Sequence, residues 1–260
     1  MKTPYETIEV EIVGGVATVS LNRPEVLNSF NQPMCDEFTH FWKRCRVDDD
    51  IRVIVLQGNG ERAFSTGMDR RGRIEFIDNP WSRTSPVFEL GPKSAHMFKP
   101  VVTLVHGLCG GGAFYWVCES DIVICAEGAQ FFDPHVSYGM ASPFVPPGLL
   151  RRIPYAETMR MALMGLDERV SAQRAHQVGL VSEVVPPARL RERGQEIARK
   201  IAAKSPAAIQ ATVRVAWDSI GKHPTQTNDM NMHYSALVKL MPAEAEVQLE
   251  TAGKQAWELR

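Results

Sequence analysis

Two glycine-containing stretches carry the residues whose types and spacing can do chemistry. The first is "GNGERAFSTGMD", residues 58–69. The second is "VHGLCGGGAFYW", residues 105–116, where three consecutive glycines follow a β-branched run and precede a run of aromatics. A glycine run between strand and helix lets a ligand approach the main chain, and the first amides of the following helix have no intrahelical acceptor. Such N–H groups, with the helix dipole behind them, stabilise negative charge developing on an oxygen, and removing one donor typically costs ~10²–10³ in rate. An oxyanion hole needs two donors, and the turn Ser65-Thr66-Gly67-Met68 can supply the second. Taken singly, either stretch reads equally well as a tight turn with close helix–sheet packing.

Other chemistries fit these residues less well. Gly58, Gly60 and Ala63 satisfy a dinucleotide-binding G-x-G-x-x-A, but "AFSTG" runs extended to a further glycine instead of opening a helix, and its strand is not the first of a β-α-β series. The second stretch lacks the Lys-Ser/Thr pair of a phosphate-binding P-loop. Ser142 lies outside any G-x-S-x-G elbow, which argues against a serine-triad hydrolase.

The elements that must position these stretches follow from changes of period. "IEVEIV" and "VATVSL" alternate around Gly14-Gly15 and read as a β-hairpin. Met34, Phe38, Phe41, Trp42 and Cys45 recur at helical spacing after Asn31, a capping residue, with Pro33 in the first turn. "RVIVLQG", "VVTLVHG" and "DIVICA" are continuously apolar and β-branched, as strands of a parallel sheet covered on both faces are. Residues 70–98 have no sustained period, and long irregular stretches inside compact domains are usually functional, so this one is a candidate pocket lining. Further on, Ser171 caps a short helix closed by Gly179, "LVSEVV" is a strand, and helices follow from about Ala188, one of them opened by Ser205-Pro206. We divide the chain into a core, 1–200, and a C-terminal helical region, 201–260, because strands stop near residue 200.

Composition narrows the partners. The chain has 260 residues, 29 of them basic and 30 acidic, for a net charge of −1, which gives no reason to expect nucleic acid or an acidic membrane. No apolar run approaches the roughly 20 residues of a membrane span, and the polar start "MKTPYETIEV" has no signal-peptide core, so a soluble, cytoplasmic protein is expected. Cys35, Cys45, Cys109, Cys118 and Cys125 are odd in number and lack CxxC spacing, which favours buried free thiols over disulfides or a metal. No metal is expected.

In order and spacing, "LNRPEVLNSF", "ERAFSTGMD", "KPVVTLVHGLCGGGAFYWVCESDIVICAEGAQFFDPHVSYG" and "SAQRAHQVGLVSEVV" resemble the enoyl-CoA hydratase/isomerase (crotonase) superfamily over residues 5–205. The resemblance implies an α/β fold, a crotonase-like spiral of β-β-α units with a helical C-terminal region that trims the active site and the contacts of a homo-oligomer, a trimer or dimer of trimers. It also implies an acyl-CoA thioester as substrate and no tightly bound cofactor, coenzyme A arriving as part of the thioester. By that resemblance the thioester oxygen sits between the backbone amides of Met68 and Gly112 and an enolate forms there. The glycine triplet starts one residue early against the family pattern, so Gly111 is the fallback donor. Backbone contacts to the coenzyme A adenine and pantetheine are implied for Val26, Leu27, Ala63 and Ser65, and coenzyme A binding also for Met68 and Asp69. Arg62, Arg70, Arg71 and Arg73 are either phosphate partners or solvated surface arginines.

The departures bear most on the reaction. Where a typical hydratase of the family carries two glutamates, this chain has Tyr115 and His135. Glu119, one helical turn after Tyr115, and Asp133, which would share a strand face with His135, are stand-in candidates, against a salt-bridged helix residue and a turn cap. His135 is the best titratable candidate, because imidazole passes a proton either way near neutral pH. Tyr115 either donates a hydrogen bond to an enolate or packs as a pocket wall. "GMASPFVPPG" replaces the family's usual P-G-x-G-G, so the acyl pocket must be shaped differently. The expected function is an enoyl-CoA hydratase-like lyase with non-standard acid/base residues. The alternatives are a family isomerase, a C–C or thioester hydrolase, or a non-catalytic coenzyme A-binding protein that has lost its acid/base pair.

Overall fold

The computed structural model describes residues 5–72, 74, 86–239 and 258–259. Its strands, in chain order, are β1 (Ile8–Val13), β2 (Val16–Leu21), β3 (Val53–Gly58), β4 (Ala63–Ser65), β5 (Val101–Val105), β6 (Leu108–Gly110), β7 (Ile122–Ala126), β8 (Gln130–Phe132), β9 (Val170–Ser171) and β10 (Glu183–Val185). The hairpin forms where the alternation placed it, β1 antiparallel to β2, with Gly14 and Gly15 both at positive φ in the turn. From β2 onward the larger sheet is parallel, in the order β1-β2-β3-β5-β7-β10.

Both faces of that sheet are covered, and the side chains of β3 divide between them by the period of two. Ile54 and Leu56 join the core built with helix α1 (Gln32–Val47), whose Phe38, Phe41 and Trp42 are fully buried. Val53 and Val55 face the other way and pack with Val102, Leu104 and Ile124 against Leu190 and Ala198 of the helix 190–202. Asn31 caps α1 as expected, its Oδ1 accepting from Met34 N–H at 3.2 Å.

A second sheet, in the order β4-β6-β8-β9, was not legible in the sequence. Its strands are two or three residues long, too short for any periodicity to register. This sheet corrects two expectations. The glycine triplet does not pass directly from the β5 strand into a helix: Gly110 ends β6, Gly111–Ala113 form a 3-10 turn, and only then does α2 (Phe114–Glu119) begin. Asp133 and His135 do not share a strand face either, because β8 stops at Phe132 and His135 opens a 3-10 turn ending at Tyr138.

The remaining helices are α3 (Val145–Leu149), α4 (Tyr155–Met164), α5 (Ala172–Gln177), α6 (Leu190–Ala202), α7 (Pro206–Ser219) and α8 (Pro224–Lys239). Ser171 and Ser205 cap α5 and α7 with side-chain oxygens, as their positions predict. Of residues 70–98, a segment that includes Arg73, the part 73 and 75–85 lies outside the described residues. Among the described residues no helix is long and apolar enough to cross a membrane.

Candidate active site

The two glycine stretches, 45 residues apart at Gly67 and Gly112, converge. A methyl placed on Gly67, whose φ is +87°, would lie 2.6 Å from Gly112 N and 2.9 Å from Gly110 O. The triplet is bare for three separate reasons. Gly110 lies against the ring of Phe132, Gly111 has a positive φ of 54°, and Gly112 lies under the ring of Phe30, 2.5 Å from where its Cβ would be. Phe30 also fixes the other stretch. Its N–H donates to Gly67 O and its carbonyl accepts from Asp69 N–H, both at 2.8 Å, in a parallel bridge to Met68. By the alternation of an extended chain, the N–H of Met68 then points away from Phe30. Among the described residues neither the Met68 nor the Gly112 N–H is hydrogen-bonded, and both residues line one cleft of about 670 Å³.

Loop 23–30 is held onto β4 by Asn28, whose side-chain amide donates to Ala63 O (3.0 Å) and Asn59 O (2.9 Å). It brings Val26 and Leu27 to the cleft wall. Asp69 reaches the same wall with Arg23 on one oxygen (3.0 Å) and the Arg71 and Gly72 N–H groups on the other. Burial pushes its carboxyl up, but these hydrogen bonds and the Arg23 charge outweigh that and hold it below the usual carboxylate range. Ala63 and Ser65 lie behind the wall: both are buried, and Ser65 Oγ fixes the turn by donating to Asn28 O and accepting from Gly67 N–H. Arg62, Arg70 and Arg71 line the cleft, Arg70 stacked 4.1 Å over the ring of Tyr138.

His135 lines the same cleft, with 26 % of its side chain exposed. Its Nδ1 lies 2.5 Å from Asp133 Oδ1, and Asp133, fully buried, accepts from Ser142 Oγ at 2.6 Å on its other oxygen. Its backbone N–H also donates to Asp133 Oδ1 (3.4 Å), so Asp133 both caps the turn and holds the ring. With Nδ1 engaged, Nε2 is the nitrogen left for chemistry.

Tyr115 faces the same cleft, but Glu119 does not. Glu119 lines a smaller cavity of about 290 Å³ on the far side of Tyr115, Phe144 and Val145. There its carboxylate accepts from the Lys93 and Ser94 N–H groups, both at 2.8 Å, and from Ser94 Oγ. Burial raises its pKa against those donors. Burial likewise pushes the Tyr115 hydroxyl far up, so it remains a neutral phenol that can donate but not act as a base. An edge contact from Phe30 and a tilted one from Phe144 hold the Tyr115 ring.

Sequence reasoning missed Phe30, Phe132 and Arg169, all on the cleft wall, and the bond from Ser142. For Phe30 there was a signal, since a glycine that must stay bare implies something bulky against it. The five cysteines are buried free thiols, as expected. Among the described residues there is no group of three His, Cys, Asp or Glu able to hold a metal.

A model of the enoyl-CoA hydratase/isomerase family matches residues 11–251 of this geometry's sequence. The chain belongs to that family. It is 35 % identical over 215 residues to (E)-benzylidenesuccinyl-CoA hydratase of Thauera aromatica, covering 80 % of this chain and 81 % of that one. It is 32 % identical over 219 residues to the hydroxycinnamoyl-CoA hydratase-lyase of Pseudomonas fluorescens, with 80 % and 76 % covered. Among solved structures, an enoyl-CoA hydratase/isomerase from Mycobacterium paratuberculosis superposes with a TM-score of 0.87 at 34 % identity over 98 % of this chain and all of the other. Enoyl-CoA hydratase from Bacillus anthracis gives 0.84 at 25 % identity over 95 % of each. The family acts on coenzyme A thioesters, so the family and fold expected from the motifs are both borne out.

Proposed function

We propose that this protein is a hydratase-type lyase acting on an aryl-bearing 2-enoyl-CoA, with one imidazole doing the proton transfers that the family usually divides between two glutamates. The observation that carries the reading is that one cleft collects the unbonded N–H groups of Met68 and Gly112 and the carboxylate-held His135. The thioester carbonyl oxygen accepts from both amides. As water attacks the β-carbon, His135 Nε2 takes its proton, and electron density moves onto the thioester oxygen as an enolate. The imidazolium then returns a proton to the α-carbon and the enolate collapses to the saturated thioester, so that the elements of water are added and His135 is restored. Tyr115, a neutral donor in the wall, adds a hydrogen bond to the enolate or to the incoming water.

The aryl preference is supported by the walls, where Phe30, Tyr115, Phe132, Tyr138 and Phe144 line the cleft that holds the two amides. It is supported too by the names of the relatives, a benzylidenesuccinyl-CoA hydratase, a hydroxycinnamoyl-CoA hydratase-lyase and, at 33 % identity over 209 residues, the 1,2-epoxyphenylacetyl-CoA isomerase of Escherichia coli. A single proton-carrying group also suits isomerisation, in which one base moves a proton between two carbons of the same substrate. Arg62, Arg70, Arg71 and Arg169 on the rim are the proposed partners of the coenzyme A phosphates, and Val26, Leu27 and Asp69 the lining beside its adenine and pantetheine. Exposed Leu150, Tyr155 and Leu163 support a homo-oligomer, of which a trimer is the form we propose, in the cytoplasm. Product analysis with cinnamoyl-CoA and crotonyl-CoA tests the reading: hydration of the aryl substrate at a higher kcat/KM supports it, and brisk hydration of crotonyl-CoA undiminished in His135→Ala overturns the site assignment.

A further inference from the structure

We propose that Asp133 and Ser142 are positioning residues that fix the tautomer and aim of His135, a role that rests on the reading of His135 as the proton-transfer group. Asp133 is fully buried, and a buried carboxylate is stable only when its oxygens are hydrogen-bonded. Both are engaged, Oδ1 by His135 Nδ1 and Oδ2 by Ser142 Oγ. A carboxylate can only accept, so Nδ1 carries the hydrogen and the lone pair of the neutral ring is on Nε2, toward the cleft. The 3-10 turn starting at His135 cannot set the χ angles of its own side chain, and the short loop between Phe132 and His135 leaves the ring free to rotate without this anchor. Ser142 extends the chain of bonds to the segment 140–143. It lies between Met140 and Pro143, which line the wall, and its bond to Asp133 fastens that wall to the acid/base group. A substrate that displaces the wall therefore acts on the aim of the imidazole as well as on its own pocket.

An Asn at 133 keeps the shape but can donate, which permits the tautomer with hydrogen on Nε2, the wrong one for a base. An Ala at 142 leaves Asp133 Oδ2 without its donor and releases the wall. In metal sites, losing a hydrogen bond that orients a ligating histidine changes activity by about 10–100-fold, and a loss of that order is expected here.

The test uses α-proton exchange of 3-phenylpropionyl-CoA in heavy water, with thermal melting as a check of folding. The saturated exchange rate should fall about 100-fold in Asp133→Asn and about 10-fold in Ser142→Ala, with the half-saturating concentration within about twofold for Asp133→Asn. Ser142→Thr, which keeps the hydroxyl, should restore most of the Ser142→Ala loss. A purely structural role would instead lower melting without this split or rescue. If His135→Gln abolishes exchange while Asp133→Asn and Ser142→Ala exchange at the native rate, the positioning role is wrong and the base assignment stands. If His135→Gln exchanges at the native rate, the underlying functional reading is wrong and the positioning role falls with it. Because Ser142 is only partly buried, its substitution remains informative even if Asp133→Asn does not fold.

Discussion

Gly67 and Gly112 touch through their backbones: a single methyl on Gly67 would stand 2.6 Å from the Gly112 nitrogen. Two stretches that each read singly as tight turns are thus one object, a junction in which the second sheet brings the end of β4 against the turn after β6. The contact is between main-chain atoms, which have no rotamers by which to give way. Replacing Gly67 by Ala combines that overlap with a positive φ, and should cost on the order of 1–3 kcal/mol of stability and most of the activity. Chemical denaturation with a parallel activity assay checks this; a native midpoint with native activity would contradict the junction.

The donors act through main-chain N–H groups, so side chains there are dispensable where packing allows. Met68→Ala should keep kcat within a few-fold, whereas Gly112→Pro, which removes the N–H and also sets a Cβ against the Phe30 ring, should lower it ~10²-fold or more provided circular dichroism shows the native spectrum. A large loss in Met68→Ala would mean that the side chain, 41 % exposed at the cleft, carries the effect instead.

A coenzyme A thioester at 100 times its dissociation constant stabilises the native state by about 2.7 kcal/mol, which for a chain of this size is a melting increase on the order of 5–10 °C. NAD and NADP should produce none, because β4 runs from Ala63 to Ser65 where a dinucleotide loop would open a helix. Differential scanning fluorimetry decides between them, and stabilisation by a nicotinamide nucleotide alone would overturn the ligand class.

Asp69 makes one limb of the stability curve predictable. Its folded carboxyl is held below its unfolded value, so the stability it contributes is present above the ordinary carboxylate range and is lost as pH falls through that range toward the folded value. Asp69→Asn should therefore flatten the acid limb and lower stability at neutral pH. Urea midpoints between pH 3 and pH 7 test it, an unchanged acid limb being the contrary result.

The thiols give a simpler prediction. Burial pushes Cys35, Cys45, Cys118 and Cys125 up to about 12 and raises Cys109 well above the ordinary thiol value, so all five are protonated at neutral pH. A thiol-specific disulfide reagent should label none of them in the native protein and all five after unfolding; fast labelling of the native state would show a reactive cysteine.

What could be read from the sequence follows the length of each element. The β1–β2 hairpin, α1 and the strands β3, β5 and β7 of the large sheet carry five or more residues of pattern each, enough for a period to declare itself. The second sheet does not, and so the route by which Gly112 reaches Gly67 stayed hidden although both residues were singled out. Asp133 and His135 were paired for a strand geometry but meet through a turn, because a two-residue offset looks the same in either until the end of β8 is known. Ser142 lacks a nucleophile's elbow, and its acceptor, Asp133, nine residues away in sequence, leaves no local mark. Ala63 and Ser65, which the resemblance gives as backbone contacts, are buried, and the bond from Ser65 to Asn28 O holds the turn that presents Met68.

The central claim is an enolate held by two amides and protonated by His135, and exchange of the α-hydrogens of 3-phenylpropionyl-CoA with heavy water measures it without requiring the full reaction. The account predicts exchange catalysed by the native protein, retained in Met68→Ala and reduced at least ~100-fold in His135→Gln. Native-rate exchange in His135→Gln, or none above the uncatalysed rate with aryl, short-chain and long-chain acyl-CoA alike, would contradict it.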